Sequence, residues 1–201
     1  MKLLLCGLFV FLLENCLFRD AQMEVDVFFD DEDKPTKLTP QRADIKIHHI
    51  NAFGEGRFMK VKTHIYEDRT HFDMHAELFK QLGSNYLIMN IRMRAKPEGK
   101  DSFVKLFEWK GLDFCGFLTE YNTNPMMQNF LKKSMQLSDV IVCPVRVGNY
   151  SVTNVSVVDN VHAENFQNGT YKLFFEIIEE TGESPKLFAF QVTTIIRIFD
   201  I

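Results

Sequence analysis

Beyond its first thirteen residues the chain has no apolar run long enough to cross a bilayer. The last fifteen residues come nearest, but Gln191, Thr193, Thr194, Arg197 and Asp200 interrupt them. They read as a strand, not as an anchor or a lipid-attachment signal. Positive charge is not in excess: the net charge is -4 and no basic run stands out, which excludes nucleic acid as an expected partner. Cysteine is scarce, at four residues, and tryptophan occurs once. The catalytic signatures are missing as well. There is no Gly-X-Ser-X-Gly elbow and no His-Glu-X-X-His pair. Gly54-Glu55-Gly56 lacks the third glycine and the following helix of a dinucleotide site. Neither an enzyme nor a cofactor is expected, and an extracellular hydrolase is disfavoured for want of a nucleophile–base constellation.

What is present begins with an export signal. Lys2 supplies a short positive region, and residues 3–13 are an unbroken apolar run. That length suits a secretory signal and is too short to span a membrane. Cleavage after Cys16 or after Ala21 both fit, and either removes Cys6 and Cys16. The expected organisation is a signal peptide over 1–21, an N-terminal arm over 22–43 and one folded domain over 44–201. The arm holds Asp30-Asp31-Glu32-Asp33, a solvated acidic run without the spaced oxygen ligands or turn glycine of a calcium loop. About 180 residues remain after cleavage, enough for a domain with a real core. The expected location is secreted and extracellular.

From residue 44 the pattern is mostly period two, the mark of strands. Ile45 and Ile47, then Val61, Thr63 and Ile65, then Phe72, Met74, Ala76 and Leu78 alternate with polar residues. Leu87, Met89, Ile91 and Met93 follow, with residues 103–109 as the next strand. Tyr171, Leu173, Phe175 and Ile177, and finally Phe188, Phe190, Val192, Thr194 and Ile196, complete the set. Pro97-Glu98-Gly99-Lys100 and Gly182-Glu183-Ser184-Pro185 are turns. Short strands punctuated this way predict an all-β, two-sheet sandwich. One segment breaks the period. Asn124-Pro125 is a helix start, and Met126, Met127, Phe130, Leu131 and Met135 recur at helical spacing behind it.

In an exported chain two remaining cysteines pair more often than they bind metal or react. Cys115 and Cys143 are therefore expected to form a disulfide, with the predicted helix inside its loop. Five of the six histidines, His48, His49, His64, His71 and His75, precede residue 76. His71 and His75 are four apart on a predicted strand and therefore distant. No metal site is expected. Three sequons follow: Asn149-Tyr150-Ser151, Asn154-Val155-Ser156 and Asn168-Gly169-Thr170. Tyr150 and Val152 share one parity, Val155 and Val157 the other, so a bulge is expected near Thr153-Asn154. Asn149 and Asn154 then both point outward. Asn168, in an Asn-Gly turn, is expected to be the most accessible and the first glycosylated.

The blocks Phe107-Glu108-Trp109, Asp113-Phe114-Cys115-Gly116-Phe117-Leu118, Asn124-Pro125, Cys143-Pro144-Val145, Gly148-Asn149-Tyr150 and Gly169-Thr170-Tyr171 resemble the insect chemosensory protein B (CheB) family. These secreted proteins are similar to the ganglioside-activator branch of the ML lipid-recognition superfamily. The resemblance is densest over residues 104–177. It implies an immunoglobulin-like sandwich with an apolar cavity between the sheets, so that 44–201 would be an ML-like lipid-recognition domain. It also implies a gustatory role in sensing contact pheromones. Ganglioside activators carry several disulfides, whereas Cys115 and Cys143 allow one.

The expected function is that of a secreted binder of a lipid or a long-chain cuticular hydrocarbon pheromone, with a taste-neuron membrane receptor or channel as a further partner. Phe114, Phe117, Leu118, Met126, Met127, Phe130 and Leu131 are the expected cavity mouth, where flexible Met suits varied apolar shapes. Ile65, Met74, Leu87 and Met89 are the expected cavity wall. Ordinary core packing is the competing reading of both groups. The competing function is an extracellular sandwich that binds a receptor through its loops, with no ligand cavity.

Overall fold

Alternation of apolar and polar residues sets the strands, and the strands build two sheets. A computed structural model of the chain describes residues 41–123, 136–137, 141–158, 166–180 and 185–200. The elements are β1 (Gln41–Gly54), β2 (Met59–Ile65), β3 (His71–Leu78), β4 (Leu87–Pro97), β5 (Val104–Asp113), α1 (Phe114–Thr123), β6 (Gln136–Leu137), β7 (Gly148–Ser156), β8 (Gly169–Glu179) and β9 (Lys186–Asp200). One sheet has the order β1-β9-β8-β4-β5 and the other β2-β3-β7-β6. Every pair of these strands runs antiparallel.

This is the immunoglobulin arrangement. The order β2-β3-β7-β6 corresponds to the A-B-E-D sheet, and β9-β8-β4-β5 to the G-F-C sheet with its added C′ strand. β1 is an extra strand on the outer edge of β9. The strand begins at Gln41, three residues inside the span read as an arm. β5 runs on to Asp113, past the expected end at 109, because two bulges carry the chain across irregular register beside Asn90 and Arg94.

The core lies between the sheets. β4 buries Leu87, Met89, Ile91 and Met93, and β8 buries Tyr171, Leu173, Phe175 and Ile177. β3 contributes Phe72, Met74, Ala76 and Leu78 from the facing sheet. Phe72 and Phe190 stack across the gap with centroids 5.7 Å apart. Phe114, Phe175 and Phe188 are also among the largest fully buried side chains, which gives the high phenylalanine content much of its place.

Two local devices fix the register. Opposite Asp73, β7 fits both Thr153 and Asn154, since Phe72 pairs with Val155 and Met74 with Val152. This is the expected bulge, and Asn154 takes the left-handed conformation there (φ 55°) with its N–H donated to Asp73. At the entry to β8, the Tyr171 hydroxyl donates to the Gln167 carbonyl at 2.9 Å and accepts from the Gln167 N–H at 3.0 Å. That is the tyrosine corner of immunoglobulin-like sandwiches. Burial pushes the Tyr171 pKa up, so the hydroxyl remains a proton donor. Beside it, a Cβ on Gly169 would lie 2.5 Å from the Lys96 carbonyl oxygen, so only glycine lets β8 approach the end of β4 this closely.

Candidate functional site: an apolar cavity under a disulfide-tied roof

At one end of the sandwich the strands stop short and loops close the gap. Three segments form this roof: the β3–β4 loop, α1, and the chain around Cys143. Asp113 caps α1, its carboxylate accepting the Cys115 N–H at 3.0 Å. Phe114 and Leu118, four apart, share the inward face of the helix and are fully buried. Phe117 is half-buried and packs on the core's margin. The disulfide Cys115–Cys143 joins the first turn of α1 to the returning chain. Asn122 Nδ2 donates to the Ile141 carbonyl at 2.9 Å and ties the other end of the helix to the same chain. Leu82 and Val145 exchange backbone hydrogen bonds at 2.9 and 2.8 Å, which joins the third segment. Gly83 passes under the disulfide with φ 86°, where a Cβ would sit 3.3 and 3.4 Å from the two sulfurs.

Beneath the roof lies a partly open cavity of about 20 Å³. Met59 begins β2, Ala76 and Leu78 end β3, Ile177 is the last apolar residue of the inward row of β8, and Phe114, Leu82, Ile141 and Val145 descend from the roof. Among the described lining residues Tyr150 brings the only hydroxyl, and that group is spent on the Arg146 carbonyl at 2.8 Å. The lining is therefore hydrocarbon, thioether and ring. A space of this size takes about one water, and apolar walls keep it dry. Four large apolar residues flank the roof on the outside. Phe79 and Tyr86 bracket Leu82, and Val142 and Val147 bracket Val145; their exposures run from 45% to 61%.

The sequence-derived site residues fall in several places. Phe114 lines the cavity and Leu118 packs one turn further along the same face. Met74, Leu87 and Met89 are fully buried in the core but do not line this cavity. Ile65 is half-buried at the opposite end of β2, six residues from Met59 and about 20 Å away along the strand. Met126, Met127, Phe130 and Leu131, and with them the helix expected after Asn124-Pro125, lie outside the described residues. So do residues 1–40, which include the expected signal peptide and most of the expected arm.

The remaining candidates sit on the surface. Asn149, Asn154 and Asn168 are all exposed. Asn168 uses its side-chain carbonyl to accept the Ile198 N–H at 2.6 Å, so its exposed turn is also a tied one. His48, His49, His64 and His75 are exposed, and His71 sits 2.7 Å from Asp68 in the β2–β3 turn. Among the described residues no three His, Cys, Asp or Glu side chains gather as a metal site, and no helix is long and apolar enough to cross a membrane.

Residues 88–173 match the family described as "Protein of unknown function (DUF1091)". The matched span runs from β4 through α1 and the disulfide to the first half of β8, so it contains both cysteines and part of the cavity lining. No curated protein matches the chain.

Proposed function

We propose that the protein is a secreted carrier for an apolar ligand, a lipid or a long-chain hydrocarbon, held between the two sheets. The observation that carries this reading is the apolar cavity under a roof of loops tied by one disulfide. A space for about one water holds no hydrocarbon chain, so entry requires α1 and the segment around Cys143 to lift away from Leu78 and Ile177. The roof suits such motion, since it is made of loops and one short helix rather than of paired strands. Each methylene buried stabilises the complex by ~0.8 kcal/mol, so a long chain needs few polar contacts. The exposed apolar residues around the roof give such a ligand a surface to cross on its way in.

The resemblance to the chemosensory protein B family, and through it to the ML lipid-recognition superfamily, supplies the context. In that context the ligand is a contact pheromone in the fluid around a taste sensillum, and the carrier passes it to a receptor or channel of the taste neuron. The export-signal pattern and the single disulfide accord with an extracellular site of action.

Native mass spectrometry of protein secreted from insect cells tests the proposal. The expected result is a mass above that of the polypeptide and its glycans by one lipid or hydrocarbon, removed by organic extraction and restored by adding a long-chain ligand. Protein that stays free of adducts after incubation with a panel of fatty acids and cuticular hydrocarbons would favour the interaction module instead.

A further inference from the structure

The outer face of the five-stranded sheet carries a charge pattern that opposes folding. Residues directly opposite one another in an antiparallel pair stand side by side on the same face. Lys105 on β5 is opposite Arg94 on β4, and Arg94 is opposite Lys172 on β8. Three cations thus form a line across three strands, spanning about 10 Å. Arg92 and Lys96 continue the same face above and below Arg94 along β4. Like charges placed directly opposite destabilise a sheet.

Compensating carboxylates are few. Glu108 is approached by Arg92 at 3.7 Å, Lys105 at 3.9 Å and Lys110 at 3.5 Å, so one negative charge serves three positive ones. Among the described residues no carboxylate lies within 4 Å of Arg94, Lys96 or Lys172. Aromatic rings lie beneath two of the cations. The Lys172 ammonium sits 4.2 Å from the Phe103 centroid, and the Arg92 guanidinium 4.9 Å from that of Phe174. All of this belongs to a chain whose net charge is -4, so the face stands against the sign of the whole.

We propose that this face binds a sulfated polysaccharide. A linear polyanion with a repeating charge fits a row of cations, and its sulfates neutralise the repulsion that the folded sheet otherwise holds. A bilayer fits less well, because Phe103 and Phe174 are half-buried and capped by cations, which leaves no apolar side chain in the row to insert. The site is on the opposite side of the sheet from the cavity and is independent of the apolar ligand.

The test is binding of a heparin oligosaccharide to the secreted full chain at several NaCl concentrations. Binding is expected to weaken roughly tenfold or more between 50 and 150 mM NaCl, as counterion release requires. Arg94→Gln combined with Lys172→Gln is expected to weaken it at least tenfold and to flatten the salt dependence. The same pair should leave the melting temperature unchanged or raise it, because the like charges are gone. Lys62→Gln, on the outer side of the other sheet, is expected to bind as the parent does. No heparin binding at 50 mM NaCl, or unchanged binding in the double variant, would overturn the proposal. So would capture by phosphatidylserine-rich vesicles without any affinity for heparin.

Discussion

Replacing both cysteines, Cys115→Ala with Cys143→Ala, is expected to cost ~3–4 kcal/mol of stability. The loop closed by the disulfide spans 28 residues in sequence, and chain entropy alone sets the magnitude. For a domain of this size the loss lowers the melting temperature by roughly 6–16 °C. The damage is expected to centre on the roof. Cys115 lies one residue from Phe114 and Cys143 two from Ile141 and Val145, so untying them frees three of the residues that line the cavity. Hydrogen exchange should therefore rise first over α1 and the Leu82–Val145 contact, and least in β8. A double variant that melts within a degree or two of the parent would show that the roof is held without the disulfide.

Phe175→Ala is expected to cost ~3–5 kcal/mol, at least as much as losing the disulfide, but by a different route. Phe175 is fully buried on β8, the middle strand of its sheet, with Phe190 opposite it on β9 and Ile91 opposite it on β4. Phe188, one inward position along β9, tilts against it at a centroid distance of 6.0 Å. Close-packed neighbours on both flanks cannot collapse into the space left behind, so a cavity adds to the lost burial. Chemical denaturation of the two proteins measures the difference. A loss under about 1 kcal/mol would mean that the sandwich centre is loosely packed, contrary to the burial seen here.

The strands were legible because their faces are. A residue such as Met93 has a polar neighbour on each side, Arg92 and Arg94, and the two-residue period marks which way it points. The bulge at Thr153-Asn154 was legible for the same reason, as a change of parity with nothing else to explain it. Helix α1 was not. Its ten residues include Gly116, Phe114, Phe117 and Thr119, poor or indifferent helix formers, and its apolar residues give no long periodic run. The one available signal was Asp113 as an N-cap, followed by inward residues four apart. The cavity lining was hidden for a further reason. Leu82, Ile141 and Val145 lie in irregular chain, where period says nothing, and the disulfide, the Asn122–Ile141 hydrogen bond and a pair of backbone hydrogen bonds bring them over Leu78. The cationic row was hidden because it depends on register: Lys105, Arg94 and Lys172 are far apart in sequence and meet only once β5, β4 and β8 are aligned.

Trp109 offers the most direct test of ligand binding between the sheets. It is the single tryptophan of the chain and stands opposite Ile91, which is buried on the inner face of β4. Met89 is the next inward position on that strand, about 7 Å away, and is paired with the cavity-lining Ile177. A chain that enters under the roof and extends between the sheets passes toward the indole. Titration with a fatty acid brominated along its alkyl chain should therefore quench Trp109 fluorescence, saturating near one ligand per protein, and an unbrominated long-chain hydrocarbon should reverse the quenching. If the brominated chain leaves the fluorescence unchanged while native mass spectrometry shows it bound, the ligand lies outside the sandwich and the proposed site is wrong.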